Sequence, residues 1–176
     1  VVIPGLANTG YRKQTAEERE REKAREEAAL DAAAAGLAGE RFGVRNSGAT
    51  AVIEGCGANG LEYMTGGMAV MLGPVGFNFA AGMTGGMAFV YDPAESFRLK
   101  VNPETVTWQR VDHPHWKAVL KAQVAEHVAE TKSPLGARLL NDWNRQLEHF
   151  WQVVPKEMLT RLSQPLSDHE VLEAAE

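Results

Sequence analysis

The sequence predicts a mainly β solenoid. Three observations carry that prediction: a repeat of fixed period, glycines held in columns of that repeat, and apolar runs of strand length. Arg45-Asn46-Ser47-Gly48, Met64-Thr65-Gly66-Gly67 and Met83-Thr84-Gly85-Gly86 each precede such a run, and Gly48, Gly67 and Gly86 follow one another at a spacing of 19. A period near 20 residues with a fixed corner glycine is what stacked coils require, because each coil is one unit that buries its apolar side only against the next.

Residues 1–35 precede the repeat and differ from it. Residues 1–14, with Pro4, Gly5 and Gly10, read as irregular, and Thr15 with Glu18 makes a capping box for a helix. Glu18 and Arg21, Glu20 and Lys23, and Glu22 and Arg25 lie three apart on that helix, and alanines from Ala32 to Ala35 lead to a C-cap at Gly36. A helix polar all round is expected to be a solvated face, with a partner-binding arm as the sharper reading.

Residues 36–100 form the repeat. Gly36, Gly55 and Pro74 share a column, as do Ala38, Gly57 and Gly76, and Glu40, Asn59 and Asn78. The runs Ala49–Ile53, Met68–Leu72 and Met87–Tyr91 are short and bounded by Gly, Asp or Glu, which argues strand over helix. They do not alternate, so both faces of each strand are expected to be covered, one inside the coils and one by helices of the same chain. The coil corners are placed at Gly48, Gly67, Gly86, Gly57 and Gly76, where positive φ or close approach of neighbouring coils suits glycine.

Residues 101–165 read as a helical extension. Pro103 and Pro114 punctuate a connector, and a helix is predicted from His115 to Thr131 with Trp116, Leu120, Val124 and Val128 on one stripe. A second helix starts at Ser133-Pro134 and carries Leu135, Leu139, Leu140, Trp143, Leu147, Phe150, Trp151 and Val154 at helical spacing. A short helix is expected over Lys156 to Leu162, and an acidic tail over 166–176.

Composition excludes several function classes. A net charge of -5 leaves no basic footprint for nucleic acid or an anionic membrane, and no apolar run reaches the roughly 20 residues that span a bilayer. Cys56 stands alone, so neither a disulfide framework nor a cysteine cluster is available, and a cytoplasmic protein is expected. The sequence begins at Val1, as expected of a fragment or processed product of a longer chain.

Candidate chemistry is sparse. Gly55-Cys56-Gly57-Ala58-Asn59-Gly60 matches G-x-G-x-x-G after a predicted strand, but Leu61 to Gly67 does not read as a helix, so no helix N-terminus would face a pyrophosphate. His113 and His115 flank Pro114 in a predicted surface loop without a completing ligand set. His127, His149 and His169 read as polar-face or tail residues, and Cys56 as a small buried apolar residue. No catalytic, cofactor-binding or metal-binding residue is expected.

The same strings carry a resemblance. Gly39 to Gly55, Glu62 to Gly67 and Asn78 to Gly86, with Val101-Asn102-Pro103-Glu104, Glu126-His127-Val128, Leu140-Asn141-Asp142-Trp143 and Phe150 to Pro155, resemble the C-terminal GXGXG domain of the glutamate synthase large subunit. The likeness covers about residues 36 to 165 and stops upstream of Gly36. It implies a right-handed parallel β-helix that serves as spacer and packing frame. It also implies a parent enzyme that moves ammonia from glutamine to 2-oxoglutarate, with FMN and an iron–sulfur cluster held in domains outside this chain. The expected partners are the other domains of that large subunit and its small NADPH-oxidising subunit, and the chain alone is expected to be inactive. Two rivals are a free-standing scaffold subunit, as in formylmethanofuran dehydrogenase, and a nucleotide-binding redox protein using Gly55 to Gly60.

Overall fold

The computed structural model describes residues 36–167, so the predicted charged helix from Thr15 to Ala35 and the tail beyond Ser167 lie outside the described residues. Strands β1 (Ser47–Ile53), β2 (Thr65–Met71) and β3 (Gly85–Tyr91) occupy the three predicted runs and pair in parallel. They belong to a mixed five-stranded sheet completed by β4 (Val106–Arg110) and β5 (Phe150–Pro155), in the order β1-β2-β3-β5-β4. β5 runs antiparallel to both β3 and β4.

The segments between the parallel strands are paired as well. Leu61 N–H donates to the Phe42 carbonyl at 2.7 Å, Ala80 N–H to that of Gly60 at 2.8 Å, and Asn102 N–H to that of Phe79 at 2.8 Å. Side chains repeat the pattern outside: Asn78 Nδ2 donates to Asn59 Oδ1 and Asn102 Nδ2 to Asn78 Oδ1, each at 2.8 Å. Left-handed backbone recurs at alternate residues in each segment, at Arg41, Gly43 and Arg45, then Asn59, Leu61 and Tyr63, then Asn78, Ala80 and Gly82. Seven of these nine are not glycine, and the cost of holding such residues at positive φ is met by the cross-segment hydrogen bonds around them.

The register keeps the expected period of 19 on one side of each strand-entry irregularity and departs from it by one residue on the other. Val52 faces Val70, an offset of 18, whereas Val70 faces Phe89, an offset of 19. Each step shifts register at the strand entry: Ser47 faces Gly66 but Thr50 faces Met68, and Thr65 faces Gly85 but Met68 faces Met87, so Gly48 and Ala49, then Gly66 and Gly67, lie within the irregularities. Asn46 explains how the first segment differs: its Oδ1 accepts from the N–H groups of Gly48 and Ala49, while its Nδ2 donates to the Ala49 carbonyl. This local clasp shapes the entry to β1 without a second glycine.

The sheet is buried on both faces, as its unbroken apolar runs predict. Ile53, Met71 and Val90 turn toward Leu61, Met64, Phe79 and Met83 of the connecting segments. Val52, Val70 and Phe89 turn the other way, onto helix α1 (Pro114–Thr131), helix α2 (Pro134–Asn141) and the short helix α3 (Trp143–Leu147). His113 caps α1, its Nδ1 accepting from His115 N–H at 3.2 Å, and Ser133 caps α2 through its Oγ and Gly136 N–H at 3.0 Å. Both helices carry Pro in the first turn, where its missing N–H is harmless.

Three expectations about residues 101–165 are overturned. The second helix does not continue to Val154: it breaks at Asp142, where φ is -127° and ψ 45°, and Phe150–Pro155 is a strand. That run combines aromatic and β-branched residues, ends in Pro, and is buried at every position, which suits the centre of a sheet better than one helix face. Val106–Arg110, read as connector, is β4, and its alternation of Val106, Thr107, Trp108 and Gln109 fits a strand. Lys156 to Leu162 holds only a 3-10 turn over Lys156–Met158.

Two of the five expected corner glycines, Gly67 and Gly86, have φ of +86° and +79°, while Gly48, Gly57 and Gly76 do not adopt positive φ. A Cβ on Gly67 would overlap the carbonyl oxygen of Ala49, and one on Gly76 would overlap the backbone of Gly57 and Ala58. Gly67→Ala should therefore destabilise the chain by about 3 kcal/mol or more, combining left-handed strain with a backbone clash. Gly39→Ala, where a Cβ meets nothing within 4 Å, should cost under about 1 kcal/mol. Chemical denaturation of both variants checks the difference, and equal losses would count against this register.

Candidate functional site

The carboxyl ends of β1, β2 and β3 release the chain at Glu54, Leu72 and Asp92, and beside them lies a cleft of about 380 Å³. Open α/β sheets also concentrate their clefts beyond the carboxyl ends of parallel strands. The walls are largely apolar, from Leu72, Pro74, Val75, Pro93, Ala94 and Leu135, with Lys100 and Arg138 supplying positive charge.

Asp92 and Glu54 hold this region together. Buried Asp92 accepts from Phe97 N–H at 2.8 Å, Ser96 N–H at 3.1 Å, and Ser96 Oγ and Trp151 Nε1 at 3.2 Å each. Burial pushes its carboxyl pKa up, but these hydrogen bonds, led by Phe97 N–H, outweigh it and hold the group below its ordinary value. Glu54 accepts from Ser133 Oγ at 2.5 Å, tying the end of β1 to the cap of α2. Tyr91 O–H donates to Gln146 Oε1 at 2.5 Å, and burial raises its pKa against the pull of Arg138 and Arg145.

The histidines do not converge on the cleft. His113 and His115 sit at the start of α1, and His149 lies edge-on to Tyr91 with ring centroids 6.0 Å apart. His169 lies outside the described residues. His127, read as a polar-face residue, is 1% exposed, because the buried stripe of α1 runs Trp116, Leu120, Val124, His127 rather than ending on Val128. Its Nε2 lies 3.9 Å from Glu54 Oε1, and neither ring nitrogen has a hydrogen-bond partner among the described residues. Burial pushes its pKa down, and the Glu54 charge draws it back only in part. The i, i+3 step from Val124 was the sequence signal for this burial.

The glycine-rich match at Gly55 to Gly60 is committed elsewhere. The N–H groups of Cys56, Gly57, Asn59 and Leu61 donate to the carbonyls of Pro74, Gly39, Phe77 and Phe42, so none of these four is turned toward a phosphate. Cys56 is buried, and burial pushes its thiol up to about 11 despite a backbone hydrogen bond from Gly76, which keeps it protonated and unreactive near neutrality.

Comparison with known proteins fits these features. The GXGXG motif family matches residues 30–156, and the chain belongs to that family. It is 62% identical over 133 residues to the glutamate synthase (NADPH) large chain of Azospirillum brasilense, covering 76% of this chain and 9% of that protein. It is 52% identical over 122 residues to ferredoxin-dependent glutamate synthase 1, chloroplastic/mitochondrial, of Arabidopsis thaliana, covering 69% and 8%. To the glutamate synthase (NADPH) large chain of Bacillus subtilis it is 41% identical over 145 residues, covering 78% and 10%. The chain thus spans about a tenth of the length of these relatives or less. Among the described residues no helix is long and apolar enough to cross a membrane.

The buried imidazole makes stability depend on pH in a defined window. The unfolded chain, with a histidine pKa near 6.5, binds this proton more tightly than the folded one, so stability is lost as pH falls through 6.5 toward the lower folded value. Asp92 acts in a separate window: its folded pKa lies below 3.8, so its contribution is lost only in stronger acid. His127→Leu should flatten the fall in denaturation midpoint between about pH 7 and 5 and leave the loss below about pH 4 in place. An unchanged slope between pH 7 and 5 would assign that loss to other groups.

Proposed function

We propose that this chain works as a non-catalytic frame in a glutamate synthase large chain, folded as a right-handed parallel β-helix against which the catalytic domains pack. The observation that carries this reading is the use of the repeat's own backbone. The N–H groups that a ligand would need are engaged between successive segments, and the glycines admit neighbouring backbone rather than a substrate. The corner roles given to Gly48, Gly57, Gly67, Gly76 and Gly86 belong to the same proposal.

Glutamine-dependent glutamate formation then belongs to the assembled enzyme, with FMN and an iron–sulfur cluster seated in other domains. The donor set here does not fit either group. A cluster needs several thiolates, and Cys56 is a single protonated thiol, while the N–H groups of Cys56, Gly57 and Asn59 in the Gly55 to Gly60 segment are engaged by carbonyls of neighbouring segments. The partners are the remaining domains of the large chain and the small NADPH-oxidising subunit, and the working compartment is the cytoplasm, as the lone unpaired cysteine leads one to expect.

The test has two arms. The purified chain should be colourless and should neither hydrolyse glutamine nor oxidise NADPH above a buffer blank. A chimera of the Azospirillum brasilense large chain carrying this chain's matched segment should assemble and form glutamate. A flavin spectrum on the isolated chain, or a chimera that fails to assemble, would overturn the frame reading.

A further inference from the structure

The cleft beyond β1 to β3 has a chemistry that its own residues leave incomplete. Its two carboxylates are satisfied from within, Asp92 by Ser96, Phe97 and Trp151, and Glu54 by Ser133. Its two cations are not: Lys100 and Arg138 form no ion pair among the described residues, and the Lys100 ammonium rests over the Phe77 ring at 4.2 Å. Unsatisfied positive charge therefore sits on apolar walls.

The apolar surface extends past the cleft. Phe77, whose ring Lys100 covers, is 63% exposed and Leu99, next to Lys100 in the chain, 78%, while Leu37, 74% exposed, and Pro74 both lie beside Gly55. Singly exposed apolar side chains are ordinary, but Phe77 and Leu99 adjoin the cleft-lining Lys100, and Leu37 lies near the cleft-lining Pro74, so apolar surface continues outward from the cleft. An apolar centre with charge at the rim is the layout of a docking surface.

We propose that this cleft docks an apolar, carboxylate-bearing segment from another domain of the same large chain, the carboxylate pairing with Lys100 and Arg138. The inference rests on the frame reading above and names the face on which the frame is used. The relatives supply the covering material: about nine-tenths of their length lies outside the matched region. Charge complementarity selects the segment, since an incoming carboxylate meets two cations that form no ion pair among the described residues, while the resident carboxylates stay engaged. A segment bearing Lys or Arg would gain no such partner.

A zero-length carbodiimide cross-linker, which joins an amine to a carboxylate only in contact, tests this in the chimeric full-length enzyme. Lys100 should form an amide with an Asp or Glu outside the grafted segment, located by mass spectrometry. Arg138→Glu should lower the yield of that product about tenfold, whereas Lys121→Glu, on the exposed side of α1, should leave it unchanged. Arg138 is exposed, so the variant keeps its fold, and an unchanged melting temperature of the isolated chain verifies this. If the chimera fails to assemble, the frame reading falls and this inference with it. If it assembles and is active, but Lys100 joins only carboxylates of its own segment or of a second molecule, the docking proposal alone is overturned.

Discussion

Close contact between backbones of successive repeats is the constraint on which the rest of this structure depends. Parallel strands lie about 4.8 Å apart, and at the entries to β2 and β3 the carbonyls of the preceding repeat point at the Cα of the next. A Cβ on Gly66 would meet Ser47 O at 2.6 Å, and one on Gly86 would meet Gly67 O at 2.6 Å. Glycine at these positions lets the strands reach hydrogen-bonding distance. That pairing sets the register, and the register decides which apolar residues face the connecting segments and which face the helices.

The helical layer follows from the sheet rather than standing beside it. Continuous apolar strands leave a second face that must be covered, and α1, α2 and the buried Trp143 cover it. Ser133 joins the two layers, capping α2 with the same hydroxyl that bonds Glu54 at the end of β1. The cleft is then a consequence of geometry. Strands that stop at Glu54, Leu72 and Asp92, beside a helix that carries Leu135 and Arg138, leave a space that neither layer fills.

How much of this was readable in the sequence differs by element. The parallel strands were legible because the apolar runs and the glycine columns agree, and the Asn59 and Asn78 column is a hydrogen-bonded ladder in the fold. The change from an offset of 19 to 18 within the first step was hidden because it arises at an irregularity between Ser47 and Thr50, beside the Asn46 clasp, which is a side-chain effect that the column pattern does not contain. β5 was misread because Phe150, Trp151 and Val154 continue a helical spacing by coincidence, and spacing alone does not separate a buried strand from a helix. His127 escaped because Val128 offered the more apolar continuation of the stripe, although the i, i+3 step from Val124 reaches His127, and its neighbours Glu54 and Gly136 come from other elements. The cleft was not legible at all, since it joins residues from three strand ends and a helix.

The antiparallel setting of β5 gives the sheet a direction of growth. Beyond β3 the next neighbour runs the opposite way, and beyond it β4 ends the sheet with five residues that carry Gln109 and Arg110 on their last turn of the ladder. A short edge strand with a terminal charge is a poor template for further pairing. A repeat cannot be inserted between β3 and β5 without remaking an interface in which Phe89, Trp151 and Val153 are already buried. A further parallel repeat would therefore find its pairing edge at β1, and the antiparallel pair β5 and β4 closes the opposite side of the repeat.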